Sequence, residues 1–240
     1  MKILKESAGF EIVTPRDVLK DQLLIIETQG RISHWSETGP ITMETAMRFV
    51  KTRMYEDHHI SVLEHGNMSV KFKGISIGMT RENNRHRIVA LTERSTRYVD
   101  YARGREDLDR FQLRFVLPSD MDESEAIDIG NGQTMTPKEY LELGERFYRG
   151  VRKTGYKPDS ARQFLWIGTE SEEGETTNFR QWRHIFALRT ARPAHWEIRS
   201  VMGKLLEEVQ GIVPVVFDDF QVRGKCRMGV NYYGYEVKDE

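Results

Sequence analysis

A single cysteine, Cys226, in 240 residues excludes an internal disulfide and any metal site built from several thiolates. No apolar run approaches the roughly 18 residues that a bilayer-spanning helix needs, so no membrane partner is expected. Met1-Lys2-Ile3-Leu4-Lys5-Glu6 lacks the apolar core of a signal peptide, and the cytoplasm is the expected location. Neither sign of charge dominates, because 36 Lys and Arg stand against 37 Asp and Glu. Any anion binding therefore has to be local. Linkers, internal repeats and low-complexity segments are also missing, so residues 1–240 are read as a single domain.

What is present is concentrated in a few stretches. Arg85-His86-Arg87-Ile88-Val89-Ala90-Leu91-Thr92-Glu93-Arg94-Ser95-Thr96-Arg97-Tyr98 holds four arginines, an imidazole, a carboxylate and hydroxyls. Just before it, Met68, Val70 and Phe72 alternate with polar residues, the period of a half-buried strand. A charge run is commonly a solvated face. Here Ile88, Val89, Ala90 and Leu91 interrupt the charges and call for burial, and arginines beside a buried run need partners. A phosphate would supply them, since the guanidinium fork suits its oxygens.

Arg85-His86-Arg87, seven intervening residues and then Ser95 resemble the signature of the flavin-dependent thymidylate synthases, and Ser95-x-Arg97-Tyr98 extends the likeness. Further stretches match in order and spacing. Arg31-x-Ser33 resembles an early element of that family in which the serine lies near the flavin. His59, Ser61, Glu64 and His65 fall in register with an element that approaches the flavin. Glu82 matches an acid or amide three residues before the arginine-histidine-arginine triplet. Ala161-Arg162 lies where the family carries a phosphate-binding arginine. Asn178-x-Arg180, then His184 and Arg189, resemble its second flavin-and-nucleotide element, and His195-x-Glu197-Ile198 resembles the end of that region. Asn83, Asn84, Arg94 and Pro193 depart from the pattern.

The resemblance implies an α/β fold with a mixed sheet flanked by helices, and sites formed between the subunits of a homotetramer. It implies FAD reduced by NADPH (or NADH), with methylenetetrahydrofolate as carbon donor and dUMP as substrate. Ser33, His59, Ser61, Glu64, Arg85, His86, Arg87, Ile88, Glu93, Asn178, Arg180 and His184 would hold the flavin. Glu82, Arg85, Glu93, Arg94, Ser95, Thr96, Arg97, Arg162 and Arg189 would hold the nucleotide, with Arg189 reaching the uracil ring as the catalytic group. The unrelated class of thymidylate synthase attacks uracil with a cysteine, and nothing around Cys226 suggests that role. Ser95 has no adjacent base to make it a nucleophile and is read as a phosphate ligand. The histidines at 58, 59 and 65 lack the spacing of a zinc helix motif, so no metal is expected. Two other readings stay open. One is a flavin enzyme making a different pyrimidine modification, such as hydroxymethylation. The other is a nucleic-acid-binding domain reading phosphates through Arg85, Arg87, Arg94 and Arg97.

Local patterns predict the elements. Thr14-Pro15 looks like a capped helix start leading into a short packed element, and residues 42–55 like a helix with Met43, Met47, Val50 and Met54 inward. Alternation of Phe111, Leu113, Phe115 and Leu117 predicts a strand ending at Pro118, followed by a surface loop over 119–133. Thr136-Pro137 opens a helix with Tyr140, Leu143, Phe147 and Val151 on one face and Gly155 beyond its end. A last helix over 195–210 carries Ile198, Met202, Leu205 and Val209, with Gly211 as its stop.

Overall fold

The computed structural model describes residues 1–33, 39–102 and 112–235. The first elements are β1 (Lys2–Lys5), β2 (Gly9–Ile12), α1 (Arg16–Ile32), α2 (Met43–Tyr55), a 3-10 turn (Ile60–His65), β3 (Asn67–Ser76), α3 (Ile77–Asn83) and β4 (Ala90–Glu93). Next come β5 (Arg114–Leu117), β6 (Ile127–Gly130), β7 (Gln133–Met135), α4 (Pro137–Lys153), α5 (Pro158–Ala161) and β8 (Glu170–Asn178). Helices α6 (Phe179–Arg189), α7 (Trp196–Ile212) and α8 (Pro214–Phe217) and strands β9 (Phe220–Lys225) and β10 (Asn231–Tyr235) complete it. The strand order of the main sheet is β2-β3-β8-β4. Strands β1 and β5 pair in parallel, while β6–β7 and β9–β10 are antiparallel. This is the mixed α/β architecture expected.

The chain forms two compact units. The first comprises Met1–Gly9, Lys73–Asn83 and Thr92–Glu173, and the second Phe10–Phe72, Asn84–Leu91 and Gly174–Glu240. In the first, Tyr101, Leu113, Phe115, Leu141, Tyr148 and Ala161 make the core. Helix α4 starts in a reciprocal capping box between Thr136 and Glu139 and ends before Gly155, whose φ of +97° suits glycine. In the second, Leu19, Leu23 and Ile26 of α1, Val50 and Met54 of α2 and Met68, Val70 and Phe72 of β3 are buried. Trp182, Ile185 and Phe186 of α6 and Ile198, Met202, Leu205 and Val209 of α7 join them. Each large side chain fully removed from water contributes about 1.5–3 kcal/mol before entropy is counted.

Several local expectations need correction. Thr14 does not cap α1; its hydroxyl accepts the Ser69 N–H at 2.9 Å, and α1 runs for 17 residues rather than as a short element. Met47 is outward on α2, where Ala46 takes the inward position instead. The stretch 119–133 is not all loop, since β6 starts at Ile127 and pairs with β7, fully exposed in β6. On α4 the face predicted to pack is largely the outward one: Tyr140, Leu143 and Phe147 are exposed, and the buried residues are Leu141, Gly144, Glu145 and Tyr148. Glycine and glutamate do not read as inward, yet a Cβ on Gly144 would strike the Trp166 ring at 2.2 Å and Glu145 is paired with the N-terminal amine at 2.8 Å. Gly211 lies inside α7 and does not stop it. Pro214 does, because a proline pushes the preceding Val213 out of helical geometry. Phe111 lies outside the described residues.

Candidate functional site

The site in the second unit is built on the start of α6. Asn178 caps the helix, its Oδ1 accepting the Gln181 N–H at 2.8 Å. Phe179 donates its N–H to the Gly66 carbonyl at 2.8 Å, and its ring fills the space a Cβ on Gly66 would occupy, 2.6 Å away. Only glycine allows this approach, which ties the helix to the Ile60–His65 turn. The Trp182 indole donates to the Met68 carbonyl at 3.1 Å. With Phe179, Trp182, Ile185 and Phe186 buried, Arg180 and His184 are left on the outward face, four residues apart.

That face borders a cleft of about 540 Å³, within the usual range for small-molecule sites. Glu64, Ile88, Asn178, Arg180 and His184 line it, all predicted from the sequence. Arg180 Nη1 meets Glu64 Oε1 at 2.5 Å with both side chains about half exposed. Such a pair is worth only ~0–1 kcal/mol. An anionic ligand can therefore draw the guanidinium away at small cost.

Behind His184 stands the buried His86, its ring edge-on at 5.8 Å between centroids. Arg189 Nε donates to His86 Nε2 at 3.0 Å. Burial first, then the charge of Arg189 and the proximity of His184, push the His86 pKa down to about 4. The imidazole is thus neutral at pH 7, with its proton on Nδ1 and its Nε2 free to accept. The structure links the arginine-histidine-arginine stretch to α6 through this hydrogen bond. Arg85 and Arg87 are exposed and outside the cleft lining, as are His59 and Ser61. Ser33 is exposed, donates to the Gly30 carbonyl at 2.9 Å and also lies outside the lining.

The remaining predicted residues lie in the first unit. Glu93 accepts hydrogen bonds from the hydroxyls of Thr80 at 2.8 Å and Ser171 at 3.3 Å. Ser95 Oγ accepts the Arg97 N–H at 3.3 Å, and the Arg97 guanidinium stands 5.6 Å from the centre of the exposed Tyr98 ring. Thr96 is half-buried and Arg162 exposed. Glu82 is half-buried at the end of α3. Arg94 differs from the other arginines: it bridges Glu170 and Glu172, each at 3.1 Å, and Glu170 also lies 3.7 Å from Arg114. Burial would lower the Arg94 pKa, but the two carboxylates raise it above the ordinary value. Asn83, a departure from the family pattern, is buried and donates to Glu173.

Sequence reasoning missed three lining residues with aromatic or cationic chemistry. Arg183 was visible in the 178–189 stretch but carried no assigned role. Phe220 and Tyr235 come from the last two strands, where no motif pointed to them.

The chain matches the family described as thymidylate synthase complementing protein over residues 17–215. A flavin-dependent thymidylate synthase of Mycobacterium tuberculosis is 31% identical over 209 residues, 82% of this chain and 79% of the relative. That of Mycobacterium avium is 29% identical over 209 residues, with the same coverage. Among solved structures, the UMP/dUMP methylase PolB from Streptomyces cacaoi bound with 5-Br dUMP has a TM-score of 0.67 at 20% identity, covering 91% of this chain and 96% of that one. Thymidylate synthase X from Helicobacter pylori with FAD and dUMP has a TM-score of 0.59 at 19% identity, covering 88% and 98%. At these identities the two structures establish a shared fold.

Proposed function

The chain belongs to the flavin-dependent thymidylate synthases, a family of dUMP methyltransferases, and from that premise we propose that it carries out the reductive methylation of dUMP to dTMP. In this reading methylenetetrahydrofolate donates the carbon, and FAD reduced by NADPH is the hydride source. The observation that carries it is the Arg189–His86 hydrogen bond, one ring away from the cleft-lining His184.

The chemistry explains why that contact matters. Uracil C5 is a poor nucleophile, and making it electron-rich enough to attack places negative charge on the N3–C4–O4 side of the ring. A guanidinium that stays protonated stabilises such charge when it is fixed in advance. His86, neutral and buried, accepts from Nε and fixes the plane of the Arg189 fork without adding a second positive charge. The nucleotide phosphate is assigned to Ser95, Thr96, Arg97 and Arg162, with Arg85 also assigned to the nucleotide, whereas Arg94, matched by Glu170 and Glu172, is assigned to the fold. Glu82 and Glu93 are assigned to sugar and base, Glu93 being oriented by Thr80 and Ser171.

The cleft suits a flavin by its donor set. Ile60, Ile88 and Phe220 give apolar surface, while Asn178, Arg180 and His184 give polar groups around it. When bound, the flavin supplies the hydride that takes the transferred carbon from methylene to methyl. The protein's part is to position, to exclude water and to supply charge. Ser33, His59, Ser61, Arg85 and Arg87 are kept as flavin contacts in a proposed cytoplasmic homotetramer whose sites form between subunits. Residues 1–240 are taken as one functional domain, since strands β2, β3, β4 and β8 contribute residues to each unit.

The test is an absorption spectrum of the purified protein between 350 and 500 nm, then turnover with dUMP, NADPH and methylenetetrahydrofolate. Yellow protein that yields dTMP and tetrahydrofolate is expected. UMP is assayed in parallel, and a product of any other mass would replace the methylation reading. Protein that neither takes up FAD nor binds dUMP would sink it. Light scattering tests the tetramer.

A further inference from the structure

The last described strands lie beyond residues 17–215, the part of the chain that matches the family, yet they supply one wall of the cleft. Strands β9 and β10 form an antiparallel hairpin in which Tyr235 stands directly across from Phe220. The two rings lie 5.6 Å apart between centroids, at 57°. Phe220 is buried, whereas Tyr235 remains 47% exposed. A large aromatic that keeps half its surface in water at the edge of a polar cleft is a ring-binding surface in waiting.

The hairpin is held firmly enough to act as one. Arg183, on the same helix as Arg180 and His184, grips Asp219 with both ends of its fork and donates to the Val216 carbonyl. Its guanidinium also stands 5.1 Å from the centre of the Phe220 ring. From the other strand, Tyr233 donates its N–H to the Thr190 carbonyl at 3.0 Å, just past the end of α6, and its hydroxyl meets Glu207 of α7. The wall is thus fastened to the helix that carries the proposed flavin residues.

We propose that this C-terminal hairpin is a ring-stacking wall, and that Tyr235 stacks on a planar ring of the FAD taken by the cleft while Phe220 sets its tilt. The assignment rests on the functional reading above. Stacking of a base-like ring on an aromatic side chain is worth enough to change affinity about tenfold.

FAD and FMN are titrated into apo-protein of the wild type, Tyr235→Ala and Tyr235→Phe, followed by flavin fluorescence, with dUMP affinity measured in the same preparations. Thermal melts confirm that each variant folds. Tyr235→Ala is expected to weaken FAD about tenfold, Tyr235→Phe to restore most of it, and dUMP affinity to hold. A matching loss for FMN, with bound-flavin fluorescence less quenched in Tyr235→Ala, places the tyrosine on the isoalloxazine. A loss for FAD alone places it on the adenine. Either supports the wall. Unchanged FAD binding in Tyr235→Ala, or a loss confined to dUMP, overturns the wall alone. Failure of the wild type to take up FAD overturns the functional reading and the wall together.

Discussion

Arg94 in the first unit and Arg189 in the second arise from equally basic stretches, yet their surroundings give them different work. Arg94 is three-quarters buried between Glu170 and Glu172, with Arg114 sharing Glu170. Its charge is matched by carboxylates that the fold itself provides. Arg189 is hydrogen-bonded to a buried imidazole that burial keeps uncharged. Arginines from similar motifs thus meet different neighbours, a pair of carboxylates in one case and a neutral imidazole in the other.

The largest effect should come from Arg189→Ala. It is expected to lower kcat by ~10²–10³-fold, the usual cost of losing one fixed stabiliser of developing charge, while FAD uptake and the melting temperature hold. Steady-state kinetics beside a flavin titration check this. Loss of flavin together with activity would instead make Arg189 part of the cofactor pocket.

Arg94→Ala sharpens the other side of the comparison. Stranding Glu170 and Glu172 should cost ~1–3 kcal/mol of stability, less than for a fully dry pair because the side chain keeps some contact with water. Arg94→Met should recover part of the loss once Glu170→Gln is added. Urea unfolding measures this, and turnover per folded enzyme is expected to stay within about threefold. A kinetic collapse with unchanged stability would return Arg94 to the nucleotide, as its place in the signature suggests.

These two arginines also mark how far the sequence could be read. The α6 residues Asn178, Arg180 and His184 were legible because a helix spacing of four and a cap are local properties, and the structure puts all three on one cleft. The His86–Arg189 contact was half legible: both residues were named, but a hydrogen bond across 103 positions is set by packing that no local pattern reveals. Arg94 stood out as a departure from the family pattern, but its pairing was not legible, because Glu170 and Glu172 arrive from a strand more than seventy residues later. Phe220 and Tyr235 were invisible for the same reason. On α4 the periodicity was right in period and wrong in phase, since Gly144 and Glu145 face inward and hydrophobicity alone cannot say so.

A smaller effect should follow pH through His86. Its folded pKa of about 4 lies below the ordinary 6.5, so the native state disfavours the protonated ring. The associated stability is fully present above pH 6.5 and is lost progressively as pH falls from 6.5 toward 4, below which no further loss arises from this group. His86→Gln keeps an acceptor for Arg189 and cannot titrate. Its melting temperature should therefore vary less than that of the wild type across this window. Parallel curves for the two proteins would show that His86 titrates in the fold as it does in the unfolded chain, contrary to its burial beside a guanidinium.

The smallest effect compares two helix caps. Thr136 opens α4 in the first unit and Asn178 opens α6 in the second, each accepting a backbone N–H three residues on. Replacing either with alanine should cost ~1 kcal/mol by the same physics. Only Asn178 also lines the cleft, so Asn178→Ala should weaken FAD in addition while Thr136→Ala leaves it untouched. Asn178→Asp separates the two duties. It keeps the cap and gains from the helix dipole, but sets a negative charge where a phosphorylated flavin is proposed to lie. A variant as stable as the wild type that binds FAD less well would show that the residue serves the ligand as well as the helix. Equal FAD affinity in all four proteins would reduce Asn178 to a cap, and would move the flavin away from the start of α6.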